Sequence, residues 1–259
     1  MNFRAFTVSI VFAGFLAAAE PGMMFIPGGE FARGRAHDHS DSNLPYYPNP
    51  LRDDRPVRAI HIDPFYLDEA EVTNERYAAF LKAARHRHPY HWIKGQVPAG
   101  KEQFPVVNVS WDDAASFCAW ENKRLPTESE WERACRGTAE NKMYSWGDRS
   151  PTLKDAQFGA QNPDKVCGDR TRNYFGLCDM IGNVWEWTAD WYGQKYYETS
   201  PDRNPPGPAD GRYRVVRGGS WFDQAGSLQF LAASYRSWAR PAERSETIGF
   251  RCARSLGRK

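Results

Sequence analysis

The apolar positions of this chain come in short runs cut by glycine, proline and asparagine, and few runs hold one period for long. Met24 to Phe31 (MFIPGGEF) predicts two short strands around a Pro-Gly-Gly turn. Residues 34–56 are polar and rich in Asp, Asn and Pro, which predicts a loop. Ala59 to Leu67 places Ile60, Ile62 and Phe65 unevenly around Pro64 and predicts one strand. Thr73 then precedes a helix in which Tyr77, Phe80, Leu81 and Ala84 follow the i, i+3, i+4, i+7 spacing of one face.

Val106 to Val109 is a short apolar run that predicts a strand. Ser110, with Asp113 three positions on, opens a helix whose buried face carries Ala114, Phe117 and Cys118. In RLPTESEW (Arg124 to Trp131), Thr127 and Glu130 form a full capping box, and Trp131, Ala134 and Cys135 line the inner stripe of the helix that follows. Residues 136–175 lack sustained periodicity and predict an ordered, turn-rich excursion. Tyr213 to Arg217 predicts a strand running into Gly218-Gly219-Ser220-Trp221, where the glycine pair permits a sharp reversal. Ile248, Phe250 and Cys252 alternate with Gly249, Arg251 and Ala253, which predicts a closing strand with one apolar face.

The stretch GLCDMIGNVWEWTADW, Gly176 to Trp191, crowds glycine, acid, amide and tryptophan together. Trp185, Trp187 and Trp191 are too large to leave in water, so this turn is expected inside a core. Asp179 and Glu186 could join turn carbonyls around a hard cation such as calcium, which takes six to eight oxygens. Acids in Gly/Asn turns also commonly just satisfy turn amides, and spacing alone leaves both readings open. His86, His88 and His91 cluster after the first helix, but no acid or Cys joins them at ligand spacing, so a solvated helix end is expected there.

Composition narrows the picture. The 259 residues suit one large or two small domains, and ten tryptophans with 21 glycines and 18 prolines suit a loop-rich fold rather than a helical bundle. A formal charge of +2 gives no electrostatic case for nucleic acid or membrane binding. Met1 to Ala19 reads as a secretory signal peptide: Arg4, an apolar run from Phe6 to Leu16, then Ala17-Ala18-Ala19. Export to the periplasm or outside the cell is therefore expected, with no membrane anchor after cleavage. Export makes disulfides available to Cys118, Cys135, Cys167, Cys178 and Cys252, and the odd count leaves a thiol unpaired.

RLPTESEW, GNVWEWTADW, RGGSW and GFRCAR, in this order, resemble the formylglycine-generating enzyme (sulfatase-modifying factor) family over about Pro21 to Arg254. The resemblance implies an α+β fold: a single irregular, loop-rich domain at 20–256, related to the C-type lectin fold, with bound calcium. Its best-known members oxidise a cysteine of nascent sulfatases to formylglycine with copper and oxygen. It implies calcium ligands at the Asp179 and Glu186 carboxylates and the Gly182 and Val184 carbonyls, which moves the balance toward metal. It implies a Cys118–Cys252 disulfide. Cys135 matches a family half-cystine whose partner position is Ala233 here, so a buried free thiol is expected; whether Cys167 and Cys178 pair stays open.

The active-site positions depart from the family. Active members hold copper(I) between two thiolates just after the Gly-Gly-Ser, and soft sulfur is what selects copper(I). Those positions are Asp223 and Leu228 here, so copper is not expected. Trp185 and Ser220, which line the oxygen pocket in active members, remain. The chain is thus similar to exported bacterial members without the thiol pair, including a pyoverdine-maturation type. The expected function is an oxidase-type enzyme on a non-sulfatase substrate, with Asp223, Ser220, Arg236 and Trp185 in its cleft. Asp223 would act as base if burial raised its pKa, or would simply be a hydrogen-bonded turn residue. The partner is expected to be a peptide, protein or small-molecule substrate; the alternatives are a lectin-like module whose cleft grips a peptide or glycan, and an inactive regulatory relative that binds a sulfatase or the active enzyme.

Overall fold

Three helices begin at the capping signals the sequence carries. A computed structural model describes residues 20–36, 53–138 and 140–256; the expected signal peptide and most of the 34–56 loop lie outside them. Helix α1 (Asn74–Ala84) starts at Thr73, whose hydroxyl accepts the Arg76 amide. Helices α2 (Trp111–Trp120) and α3 (Glu128–Arg136) both open with complete capping boxes, Ser110 with Asp113 and Thr127 with Glu130. Each box satisfies amides that a helix start would otherwise leave unpaired. On α1, Tyr77 and Phe80 are buried, while Ala84 at the expected inner position is exposed.

The strands are short and form three sheets. β1 (Met23–Ile26), β4 (Phe65–Asp68) and β9 (Ala253–Ser255) make one, and β2 (Gly29–Arg33) pairs β3 (Arg58–Ile62) in a second. The third runs β7 (Ser237–Ala239), β6 (Arg214–Arg217), β5 (Trp185–Trp191) and β8 (Ile248–Gly249). The protein is a single loop-rich α+β domain.

Three predicted strands differ from what forms. Ala59 to Leu67 is two strands, β3 and β4, in different sheets, because the break falls at Asp63 and Pro64; proline cannot donate to a ladder. Val106 to Val109 is buried but is not a strand, since Asn108 turns the backbone to φ 60°. The closing strand is split into β8 and β9, and Arg251 between them is as buried as its apolar neighbours.

Two apolar clusters meet at α3 and β5. One gathers Ile26, Phe31, Ile60 and Phe65 around Trp131. The other packs Tyr77, Phe117, Trp187 and Phe250 around the Cys118–Cys252 disulfide. Every residue of α3 is buried, including its charges. Both buried central glutamates are paired: Glu132 takes Arg136 and Arg217, each at 2.8 Å, and Glu128 takes Arg236 at 2.6 Å and Arg217 at 3.1 Å, whereas Arg133 has no ion-pair partner among the described residues and lies over the Phe175 ring. Burial alone would raise the Glu132 carboxyl; Arg136 and Arg217 outweigh it and hold it below its ordinary value. Removing one partner of such a buried pair is costly, about 3–5 kcal/mol, because the other charge is stranded.

Candidate active site and cation site

The Gly-Gly reversal after β6 presents Ser220, Trp221 and Asp223. Gly219 sits at φ 78°, and a Cβ there would meet Leu231 Cδ2 at 2.6 Å, so only glycine fits. The turn is clipped in place on two sides. Gly159 N donates to the Asp223 carbonyl at 2.7 Å and Ala160 N to the Trp221 carbonyl at 2.8 Å. Trp221 N in turn donates to the Asn183 carbonyl at 2.8 Å, which ties this turn to the tryptophan-rich one.

Within the reversal, Asp223 Oδ2 accepts the Ser220 amide at 2.7 Å and the Ser220 hydroxyl at 3.0 Å. The Trp185 side chain lies near enough to favour the ionised form of the same carboxylate. Ser220 and Asp223 form one hydrogen-bonded unit, with Trp185 beside it. Burial pushes the Asp223 carboxyl up, and the Ser220 bonds and nearby Trp185 only partly offset it. Asp223 is a hydrogen-bonded turn residue whose carboxyl is raised by burial.

Arg236 does not join them. Its guanidinium is 1% exposed and spends its donors on Glu128, the Asp53 carbonyl at 2.9 Å and the Gly193 carbonyl at 3.1 Å. The expectation that it lines the cleft is corrected: it is a structural charge under α3. Leu228 is half-buried and packs against the cluster around Trp131. The five cysteines are all accounted for. Cys118 pairs with Cys252 and Cys167 with Cys178, while Cys135 is a buried thiol that burial pushes up to about 12. No pair of free thiols exists in the chain.

The tryptophan turn gathers acids as expected, and adds one. Gly182 permits the turn at φ 78°; a Cβ there would lie 2.5 Å from the Gln157 carbonyl. Asp179 accepts Arg170 Nε at 2.8 Å and the Cys167 amide at 2.7 Å. Glu186 is held by Arg251 Nη2 at 2.7 Å and by Trp131 Nε1 at 2.8 Å. Glu71, which the sequence did not single out, takes the Asn183 carboxamide at 2.7 Å and the Val184 amide at 3.2 Å. Burial, then the neighbouring Asp179 and Glu186 charges, drive its carboxyl well above the ordinary value.

Three buried carboxylates thus meet two guanidinium groups, Arg170 and Arg251, and that excess of negative charge suits a cation. Each carboxylate oxygen carries two lone pairs; Asp179 accepts one bond on each oxygen and keeps lone pairs for a metal, whereas each Glu186 oxygen already accepts two, from Arg251 and Trp131. Among the described residues, the three potential ligand atoms drawn within 4.8 Å of one another are those of Glu69, Cys167 and Cys178, and those sulfurs are bonded to each other. A cation at Asp179 and Glu186 would therefore complete its shell from backbone carbonyls. The histidines do not assemble: His86 bonds Asp113 and His91 bonds Asn108.

A family model described as sulfatase-modifying factor enzyme 1-like domain matches residues 12–256. The chain belongs to that family. It is 33% identical over 302 aligned positions to the formylglycine-generating enzyme of Streptomyces coelicolor, covering 92% of this chain and 93% of that one. It is also 31% identical over 296 positions to the inactive Cα-formylglycine-generating enzyme 2 of Mus musculus, covering 93% of this chain and 88% of that one. Among solved structures, PvdO from Pseudomonas aeruginosa superposes with a TM-score of 0.72 at 26% identity, over 90% of this chain and 94% of that one. The relatives span an enzyme and a protein named inactive, so the family alone does not decide the chemistry.

Proposed function

We propose that this chain is an exported oxidase-type member of the sulfatase-modifying factor family that acts on a substrate other than a sulfatase cysteine. The observation that carries this reading is the cleft turn itself. Where a thiolate pair would be needed for copper(I), Asp223 stands hydrogen-bonded to Ser220 with Trp185 nearby, and the chain's cysteines are in disulfides or buried. In the proposed reaction the substrate loses two electrons and two protons, and dioxygen takes them to become hydrogen peroxide. Asp223, with its raised pKa, is the group placed to accept a substrate proton. Two disulfides support export, because such bonds persist in oxidising compartments. Among the described residues no helix is long and apolar enough to cross a membrane.

The tryptophan turn is proposed to hold a structural calcium ion through the Asp179 and Glu186 carboxylates and the Gly182 and Val184 carbonyls. The excess of buried acid over guanidinium supports this, with Glu71 contributing charge. The functional test is an oxygen-uptake screen of the mature protein against periplasmic extracts. Uptake that needs the protein and is lost in Asp223→Asn is expected; uptake unchanged by that substitution contradicts the assignment.

A further inference from the structure

The Cys167–Cys178 disulfide, whose cysteines stand 11 positions apart, runs into the acid cluster of the tryptophan turn. Asp179 follows Cys178 directly and sits at φ 49°, a conformation aspartate adopts when its short side chain is hydrogen-bonded locally. Those bonds come from the loop that the disulfide closes. Cys167 N donates to Asp179 Oδ2 at 2.7 Å, and Arg170 Nε donates to Asp179 Oδ1 at 2.8 Å. Each oxygen of this carboxylate is therefore aimed by the loop.

The other two acids of the cluster are held differently. Glu186 is fixed by Trp131 and Arg251, and Glu71 by Asn183 and the Val184 amide, all outside the 167–178 loop. The loop itself has little else to keep it in place. No residue from 167 to 176 is fully buried. Its outward ties are polar: Arg170 Nη1 bonds Asp164, whose side chain is 46% exposed, and Thr171 N reaches the Lys154 carbonyl at 2.9 Å. A loop without buried apolar anchors depends on its covalent closure to stay ordered.

The bond is also within reach of solvent. Cys167 is half-buried, whereas Cys118 and Cys252 are both 0% exposed. Exposed disulfides are the ones that open first to an attacking thiolate.

We propose that the Cys167–Cys178 disulfide is a redox latch on the cation site of the tryptophan turn. Closed, it aims the Asp179 carboxylate at the ion. Opened, it frees the loop that carries Arg170 and the Cys167 amide, and affinity for the ion falls. A dithiol opens it by exchange: the protein takes up two electrons and two protons as two thiols, and the dithiol becomes a disulfide. Without a dithiol the bond stays closed. The inference rests on the calcium reading of this turn. Loss of groups that orient a metal ligand costs about 10–100-fold in affinity. Linkage is reciprocal, so calcium stabilises the closed bond by the same factor.

Calorimetric titration of the mature protein with calcium, beside the double variant Cys167→Ser with Cys178→Ser, tests the latch. The double variant, folded by circular dichroism and with Cys118–Cys252 intact, should bind calcium about 10–100-fold more weakly than the parent. A second measurement follows the parent in dithiothreitol, with and without excess calcium, by alkylation and peptide mapping. Cys167 and Cys178 should open before Cys118–Cys252, and calcium should hold them closed. Equal calcium affinity in parent and double variant, or opening indifferent to calcium in a parent that binds it, overturns the latch and leaves the calcium site standing. Opening of Cys118–Cys252 first also overturns it. A parent that binds no calcium overturns the calcium reading, and the latch falls with it.

Discussion

Asp223 accepts both the amide and the hydroxyl of Ser220 through one oxygen, at 2.7 and 3.0 Å, so acid and serine move as a unit. No hydrogen bond to the second carboxylate oxygen is found among the described residues. In the proposed reaction Asp223 is the proton acceptor. Asp223→Asn keeps the size and one acceptor oxygen but cannot take a proton. Turnover should fall by about 10²–10⁴-fold. Because burial raises this carboxyl and the base acts ionised, the acid limb of kcat/KM should lie above the ordinary carboxylate range. An unshifted acid limb would contradict the role.

The calcium ion proposed at the buried acids around Glu186 would make stability depend on calcium. A ligand that binds only the native state adds RT ln(1 + [L]/Kd) to stability, about 2.7 kcal/mol at a hundredfold excess over Kd. Chelator should lower the melting temperature and added calcium restore it, and Glu186→Gln should shrink the difference. Identical melting curves, with no calcium in the protein by mass spectrometry, would rule the site out.

The Cys118–Cys252 disulfide joins α2 to the segment before β9, 134 residues away. Replacing both cysteines with alanine should cost about 5 kcal/mol in the chain-entropy description. Urea unfolding of the double variant checks this; a midpoint within error of the parent would show that the bond closes a loop the unfolded chain already holds compact.

Asp190 gives a pH signature. Burial, then the Glu128 charge, push its carboxyl from 3.8 to about 8, although it accepts the Glu128 amide at the start of α3. The native state keeps a proton that the unfolded state has lost, so this residue's contribution falls as pH rises from 3.8 to about 8 and is level above. Asp190→Asn, which retains the acceptor, should flatten that part of the stability curve. Urea midpoints across the window would contradict the assignment if parent and variant stayed parallel.

Local signals were legible in the sequence. The Thr73, Ser110 and Thr127 caps need only a few neighbouring residues, and all three helices start where those residues stand. Long-range choices were not. Nothing local to Val106–Val109 shows that Asn108 adopts φ 60°, which turns an apolar run away from any ladder. Arg236 was read into the cleft, but its partner Glu128 lies 108 positions away and takes it under α3. Glu71 was passed over because it precedes a helix cap without a Gly/Asn turn, and only the fold brings it to Asn183, 112 positions on. Ser220 and Trp185 were legible because family motifs carry them, and Asp223 because it departs from one at a counted position.

The central claim is that this family member lacks the copper thiolate site and its reaction. The most direct measurement is to incubate the mature protein with copper, oxygen, reductant and a cysteine-containing sulfatase peptide, then weigh the peptide. The account predicts an unchanged peptide mass and no tight copper(I) binding, because Asp223 is a hard ligand, Leu228 is none, and the one free thiol is buried with its pKa pushed up to about 12. Protein-dependent conversion of the peptide cysteine to formylglycine would contradict it.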